Sequence, residues 1–255
     1  MITTLFCIAA LSYAAACGAL YVFQRRFVFY PQPAAVQTPL MRVNSDADAM
    51  AVVASTRVRA GAQAVVYFGG NGEDVSMSLG PLAEAFPEHA LYLLHYRGYG
   101  SSGGEASEDA IAHDALALFD RVHAQHANVT VIGRSLGTGV AMRLASQRPV
   151  ARLVLVTPYD SLQELAVRQF PYFPVRWLLK DKFESWRYVA QVQAHVQAPT
   201  LLLVAENDQV IPRASSEQLF KRFGDGKATR ELILGASHND ISLHPSYPRL
   251  LSGTP

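Results

Sequence analysis

Hydrophobic and polar positions divide the chain into three parts. Residues 1–24 are mostly apolar and carry no charged side chain, whereas residues 25–40 contain prolines separated by small residues. Beyond residue 41, short apolar runs alternate with longer segments whose apolar positions recur at helical spacing. We therefore predict an N-terminal membrane anchor or signal-like segment at 1–24, an extended, non-helical connector at 25–40 and a globular domain at 41–255.

The globular part is predicted to alternate strands and helices. Its short apolar runs are typical of strands that are buried on both faces. Such strands are predicted at 51–55, 64–68, 91–95, 129–133, 153–157, 200–205 and 231–234. Helices are predicted at 77–85, at 108–126 with Ser107 as N-cap, at 136–147 and at 215–223. This order indicates an α/β fold, a mainly parallel sheet with helices on both faces, and sites at the carboxyl ends of its strands.

The first apolar segment has the length of a membrane span. As a helix, Ile2–Phe23 would measure about 33 Å at about 1.5 Å per residue. We favour an anchor over a cleaved signal peptide, because no basic residue precedes the apolar run. Residues 14–17 resemble a lipoprotein cleavage site only loosely. Arg25 and Arg26 favour a cytoplasmic domain, but two arginines do not decide the side of the membrane.

Composition excludes several classes of partner. The chain has 22 Lys+Arg against 21 Asp+Glu, so no overall field attracts polyanions, and we expect no nucleic acid partner. Cys7 and Cys17 both lie in the first apolar segment and cannot form a disulfide framework for the globular part. The histidines lack the paired spacing of metal ligands, and we expect neither a metal nor another cofactor.

An aromatic-rich insert lies between two predicted strands, at 159–199. It contains both tryptophans of the chain and is longer than a simple crossover. Two interpretations stay open. The insert could form ordinary helices packed on the sheet, or a cap that shapes an apolar pocket over the site.

One pentapeptide carries the strongest chemical signal. Residues 133–137 read Gly-Arg-Ser-Leu-Gly between a predicted strand and a predicted helix. A tight strand-to-helix turn strains the serine backbone and exposes its hydroxyl, while the flanking glycines avoid clashes. The backbone N–H of Leu136, at a helix N-terminus, would face a developing oxyanion. We predict Ser135 as a nucleophile and Leu136 as an oxyanion donor.

A serine hydroxyl needs a base, and the base needs an acid to orient it. In folds with this turn the chain order is serine, acid, histidine. His238 lies in a turn directly after the last predicted strand and is the predicted base. His244, next to a proline, has the pattern of a surface residue.

The predicted acid is Asp208, which follows the strand at 200–205 on the same edge as the serine. Glu206 and Asp240 are close in sequence but have the pattern of solvated turn residues. Asp160 is the main alternative, because it follows the preceding strand and some enzymes with this strand-to-helix turn place their acid there.

The loop at 67–73 is the candidate for a second oxyanion donor. Its small residues let the backbone approach a substrate, and we choose the N–H of Asn71, with Gly70 as the alternative. A phosphate-binding loop is the competing interpretation. It fails on spacing, since neither a third glycine nor a Gly-Lys-Ser/Thr sequence follows.

These motifs resemble the anchored α/β-hydrolases called abhydrolase-domain proteins, which include lysophospholipases and protein depalmitoylases. The resemblance covers nearly the whole chain and rests on residues 68–72, 96–104, 133–137, 208–212 and 237–240. It implies the α/β-hydrolase fold with a small helical cap. Gly69 stands where this group usually carries a loop-positioning histidine, which puts the rigidity of that loop in question. The segment Arg97–Gly104, with four glycines, is expected to be a flexible loop near the serine and not a catalytic part.

The residues and the resemblance predict a serine hydrolase that cleaves carboxylic ester or thioester bonds through an acyl-enzyme on Ser135. An anchor and an aromatic cap suit a small, lipid-like or acylated substrate. Two alternatives remain. The same triad could serve a peptidase or amidase, or the fold could act as a non-catalytic interaction protein.

Overall fold

The computed structural model describes residues 1–44 and 50–253. Within these ranges, strands form one sheet in the order β1-β2-β4-β3-β5-β6-β7-β8. The strands are β1 (Leu40–Arg42), β2 (Val53–Arg57), β3 (Gln63–Phe68), β4 (Ala90–Leu94), β5 (Asn128–Arg134), β6 (Arg152–Val156), β7 (Thr200–Asn207) and β8 (Ala228–Ser237). Strand β2 runs antiparallel to both neighbours, and every pair from β4 to β8 is parallel. The predicted mainly parallel sheet is confirmed.

Helices cover both faces of the sheet. They are α1 (Ile2–Phe23), α2 (Arg25–Val28), α3 (Val75–Ala85), α4 (Glu108–His123), α5 (Leu136–Ala145), α6 (Leu162–Gln169), α7 (Val175–Leu178), α8 (Val189–His195), α9 (Arg213–Arg222) and α10 (Tyr247–Ser252). Short 3-10 helices lie at Ser185–Tyr188 and Ile241–Leu243. One buried cluster joins the sheet to α4, α5, α8 and α9, and a second joins it to α3 and α10.

Neighbouring strand residues point into opposite clusters, which explains the continuous apolar runs in the sequence. In β5, Val131 belongs to the first cluster and Ile132 to the second. In β3, Val66 belongs to the first cluster and Val65 to the second. A strand covered on both faces has no solvent side, so it keeps no alternation of polar residues.

Helix boundaries differ from the predicted ones by a few residues. The Ser107 cap is confirmed, since its hydroxyl accepts the amide of Ala110 at 3.2 Å. Helix α4 ends at His123 rather than at 126, because the His126 ring leaves the helix to contact the Tyr92 hydroxyl at 3.0 Å. Helix α3 begins at Val75 instead of 77, because the Asp74 side chain caps it.

The segment 25–40 is packed on the domain, and the prediction that all of it is non-helical was wrong. Residues Arg25–Val28 form α2, because the first proline of the segment comes only at position 31. Phe29 is buried in the core, and the amide of Tyr30 donates to the Asn71 carbonyl at 3.0 Å. The segment therefore reaches the predicted oxyanion loop.

Helix α1 has no buried residue and is long and apolar enough to cross a membrane. Both properties, length and composition, are those of a membrane span. The helix ends at Phe23, and the next residue, Gln24, is buried against the region 159–199.

The insert at 159–199 contains two kinds of helix. Helix α8 packs its Val189 and Val192 into the main core, as an ordinary sheet-covering helix does. Helices α6 and α7 lie instead beside a cavity that reaches Ser135. Each of the two interpretations of the insert thus describes a different part of it.

Candidate active site

Ser135 sits at the tip of a strained turn between β5 and α5. Its backbone angles are φ 50° and ψ −118°, a conformation that side-chain-bearing residues rarely adopt. A Cβ built on Gly133 would lie 2.3 Å from the carbonyl oxygen of Gly137, and one on Gly137 would lie 2.1 Å from that of Phe68. Both glycines are required by close backbone contacts, as the motif predicts.

Gly137→Ala is expected to lower the free energy of unfolding by about 2 kcal/mol or more, because the new methyl group meets rigid backbone. Gly80→Ala is a matched control in α3, where nothing lies within 4 Å of the new methyl group. That change should be neutral or stabilise by up to about 1 kcal/mol. Urea unfolding measures both. Equal stability of the two variants would contradict the clash.

Three of the predicted site residues meet at the carboxyl ends of their strands. His238 Nε2 lies 2.9 Å from Ser135 Oγ, and His238 Nδ1 lies 2.8 Å from Asp208 Oδ2. The other carboxylate oxygen, Oδ1, accepts the amides of Val210 at 2.9 Å and Ile211 at 2.6 Å. Because a carboxylate only accepts, Nδ1 donates to it, and Nε2 is left to accept from the serine.

The alternative acids and the second histidine have other partners. Asp160 is buried in a paired contact with the guanidinium of Arg222, at 2.5 and 2.9 Å. Glu206 accepts a hydrogen bond from the backbone amide of Gly235 in β8, and Asp240 accepts one from the backbone amide of Ser237. The ring of His244 contacts the Ser246 hydroxyl. Among the described residues, no three His, Cys, Asp or Glu side chains converge as metal ligands.

The loop after β3 places one free amide beside the serine. A Cβ on Gly70 would lie 3.6 Å from Ser135 Cβ, so this loop lies against the nucleophile. The Gly70 amide is occupied by Glu73 Oε2 at 2.8 Å. Within the described part of the chain, the amides of Asn71 and Leu136 have no hydrogen-bond acceptor. The geometry therefore favours Asn71 over Gly70 as the second donor.

Glu73 holds this loop, and the sequence analysis missed it. Its carboxylate accepts the hydroxyls of Tyr67 and Ser78, each at 2.7 Å, besides the Gly70 amide. A side chain on Gly69 would have no room, since its Cβ would lie 2.6 Å from Val75 Cγ1. The question about the rigidity of this loop without a histidine at position 69 is thus answered by Glu73, which holds the loop through these hydrogen bonds.

Arg134 connects the oxyanion loop to the histidine loop. Its Nη1 donates to Glu73 at 3.1 Å, and its Nη2 approaches the carbonyls of His238 at 3.4 Å and Asn239 at 3.3 Å. Burial lowers the pKa of Arg134, but the charge and hydrogen bond of Glu73, together with the nearby Tyr67 and Tyr247, raise it, and the pKa is raised overall. Arg134 occupies a variable position of the pentapeptide, so no sequence signal marked it.

Glu73→Gln should lower kcat/KM by about tenfold to a hundredfold and stability by about 3 kcal/mol, because it leaves the Arg134 charge unpaired and frees the loop. Glu84→Gln, on the exposed face of α3, is the matched control and should change neither. Ester hydrolysis and urea unfolding give the two readouts. A wild-type kcat/KM in Glu73→Gln would show that the loop does not need this contact.

The segment 96–104 is held in place, which corrects the expectation of a flexible loop. Arg97 makes a paired contact with the buried Asp114 at 2.8 and 2.9 Å. The Tyr99 hydroxyl donates to the Asn71 carbonyl at 2.5 Å. Gly100 has φ 54° and packs so closely on the His95 ring that no side chain would fit. The glycines thus serve tight packing behind the oxyanion loop.

An apolar cavity of about 310 Å³ opens above Ser135. Its walls come from the end of α1, from α2, from the region 159–199 and from the loop after β7. Few polar groups line it besides the serine, Asn71 and Gln24. This composition is typical of pockets for apolar ligands.

The residues 63–185 match the protein family described as the alpha/beta hydrolase fold. The chain belongs to the α/β-hydrolase superfamily. This α/β-hydrolase is 36% identical over 196 residues to an uncharacterized protein of Mycobacterium tuberculosis, covering 74% of this chain and 65% of that one. It is 29% identical over 216 residues to the lysophosphatidylserine lipase ABHD12 of Mus musculus, covering 73% and 54%.

Among solved structures, the Pyrococcus furiosus esterase Pf2001 superposes on the α/β-hydrolase with a TM-score of 0.68 at 17% identity. The match covers 89% of this chain and 97% of the esterase. At this identity the likeness concerns the fold. The matched region spans 54% to 65% of the length of the two relatives named above.

Proposed function

We propose that this α/β-hydrolase is a serine hydrolase that cleaves carboxylic ester or thioester bonds through an acyl-enzyme on Ser135. The observation that carries the proposal is the hydrogen-bonded series Ser135, His238 and Asp208 opening into an apolar cavity. A buried serine in a strained turn, next to a histidine that a carboxylate orients, is the arrangement that activates a hydroxyl.

In the first half of the reaction, Ser135 Oγ attacks the carbonyl carbon of the substrate. His238 Nε2, at 2.9 Å, takes the hydroxyl proton, and Asp208 stabilises the resulting imidazolium. The amides of Leu136 and Asn71 hold the oxyanion of the tetrahedral intermediate. When the intermediate collapses, the carbonyl–leaving group bond breaks and His238 returns the proton to the departing alcohol or thiol.

In the second half, water attacks the acyl group on Ser135. His238 accepts a proton from the water, and the same two amides hold the new oxyanion. The bond between Oγ and the acyl carbon then breaks. Oγ recovers the proton from His238, and the carboxylic acid is released.

The cavity supports a lipid-like or acylated substrate. Its apolar walls suit a hydrocarbon chain better than a polar group, because burying an unpaired polar group is unfavourable. A relative named as a lysophosphatidylserine lipase supports an ester as the bond that is cleaved. We further propose that α1 anchors the protein in a membrane, for which its length and composition are the support.

A fluorophosphonate probe tests the proposal, because it reacts with activated serines. The protein should be labelled, and the labelled peptide should contain Ser135. Lack of labelling under conditions where a control hydrolase reacts would overturn the proposal. A p-nitrophenyl ester series compared with thioesters and aminoacyl amides then ranks the substrates, and a preference for the amides would replace the esterase assignment by an amidase.

A further inference from the structure

The proposed anchor forms part of the pocket. Leu20 and Gln24, at the end of α1, and Phe27, in α2, line the cavity above Ser135. The opposite wall includes Phe170 and Phe173. The cavity is thus bounded by the anchor on one side and by residues 162–179, here called the cap, on the other.

The junction of α1 and α2 is bound firmly to the cap and the residues that follow it. The side-chain amide nitrogen of Gln24 donates to the Leu178 carbonyl at 3.0 Å, and its side-chain oxygen accepts the backbone amide of Lys180 at 2.6 Å. Arg25 pairs with the buried Asp181 at 2.9 Å. These contacts help to satisfy a buried glutamine and a buried carboxylate. Separating the anchor from the cap would leave the side-chain oxygen of Gln24 without its donor and would leave Asp181 with the Glu108 amide but without the Arg25 charge.

The cap also touches the middle of the anchor helix. The Tyr13 ring stacks on Phe173 at 5.8 Å, and its hydroxyl donates to the Tyr172 carbonyl at 2.8 Å. Tyr13 precedes Gln24 by about 16 Å along the helix axis, which is close to half of a bilayer core. If α1 spans a membrane, this end of the cap lies at the depth of the acyl chains.

The surface of the cap fits that depth. Tyr172 is 85% exposed and Trp177 is 88% exposed, beside a helix that buries none of its own residues. The charge of Arg176, in the same region, is paired with Glu164 at 2.8 Å. Other cations lie at the end of α1, where Lys180 covers the Tyr21 ring at 3.9 Å. Exposed aromatic side chains beside the anchor, with a cation at its end, match one leaflet and its polar surface.

We infer that the acyl chain of the substrate passes laterally from the leaflet that holds α1 into the cavity, and lies there between the anchor and the cap. This inference rests on the proposed function. The expected substrate is therefore an ester or thioester whose acyl chain lies in the membrane. The anchor is then a determinant of chain-length specificity.

The first test uses the full chain in phosphatidylcholine vesicles with p-nitrophenyl acetate and p-nitrophenyl dodecanoate. Leu20→Trp, which narrows the cavity, should lower kcat/KM for dodecanoate about tenfold more than kcat/KM for acetate. Val22→Trp is the matched control, since Val22 is 65% exposed and lies outside the cavity, and it should change neither. An unchanged dodecanoate-to-acetate ratio in Leu20→Trp would overturn the inference.

The second test is independent of turnover and uses Trp177 as a depth probe. The chain has two tryptophans, so Trp186→Phe leaves Trp177 as the reporter and Trp177→Phe leaves Trp186. Phosphatidylcholine brominated on its acyl chains should quench the tryptophan fluorescence of Trp186→Phe, which keeps Trp177. The fluorescence of Trp177→Phe, which keeps Trp186, should stay unquenched. Quenching of Trp177 by aqueous iodide alone would overturn the inference, even if fluorophosphonate labelling of Ser135 supported the proposed function.

Discussion

Ser135→Ala is expected to lower kcat for p-nitrophenyl esters by roughly 10⁵- to 10⁶-fold, because no other group occupies the position of its hydroxyl 2.9 Å from the base. The residual rate would come from the two oxyanion amides and from binding in the cavity. Initial rates with a short-chain ester, at protein concentrations that exclude traces of wild type, measure this loss.

The matched control is Ser101→Ala, on the exposed surface of the segment 96–104, which should keep the wild-type rate. Ser135→Ala should also unfold at a urea concentration close to that of the wild type, so that the lost rate reports chemistry and not folding. A folded Ser135→Ala protein with substantial esterase activity would remove Ser135 from the mechanism.

Asp208→Asn is expected to lower kcat by roughly 10⁴-fold, because the amide no longer fixes the histidine tautomer or stabilises the imidazolium. The matched variant is Asp160→Asn, the alternative acid of the sequence analysis. Asp160 is paired with Arg222, whereas the carboxylate that contacts His238 is Asp208, so replacement of Asp160 should keep kcat within a few-fold and lower stability instead. Ester hydrolysis and urea unfolding of both variants separate the two effects.

The reverse result, a large loss of kcat in Asp160→Asn and a small one in Asp208→Asn, would reassign the acid. Loss of activity in both variants with intact folding would mean that Asp160 acts through Arg222 on the site. The first outcome would contradict the assignment of Asp208, and the second would contradict only the expectation that Asp160 is not needed for the reaction.

The contact between Arg134 and Glu73 gives the site a feature beyond the triad. It joins the loop that carries the Asn71 amide to the loop that carries His238. Because both loops must be placed within a fraction of an ångström, one ion pair supports the base and the oxyanion donor together. This is the reason to expect a catalytic loss in Glu73→Gln, although neither side chain of the pair belongs to the triad.

The strand pattern and the local turns were predictable, since both depend on residues close in sequence. Runs such as 129–133 indicate buried strands, and the ends of parallel strands align on one edge, so Ser135, Asp208 and His238 could be expected to meet. The strained turn could also be predicted from the sequence, because Gly133 and Gly137 are required by the backbone of the turn itself.

Other features depended on contacts between distant parts of the chain. Glu73 and Arg134 are 61 residues apart, and Gln24 and Leu178 are 154 apart. A solitary glutamate or glutamine has no pattern that identifies such a partner, because the pairing is decided by how the loops approach one another in space. The sequence by itself therefore determined the order of elements, the nucleophile turn and the candidate triad. Only the tertiary structure showed that Asp208 and not Asp160 contacts His238, that the Gly70 amide is taken by Glu73, and that the end of α1 lines the cavity, because each depends on groups that folding alone brings together.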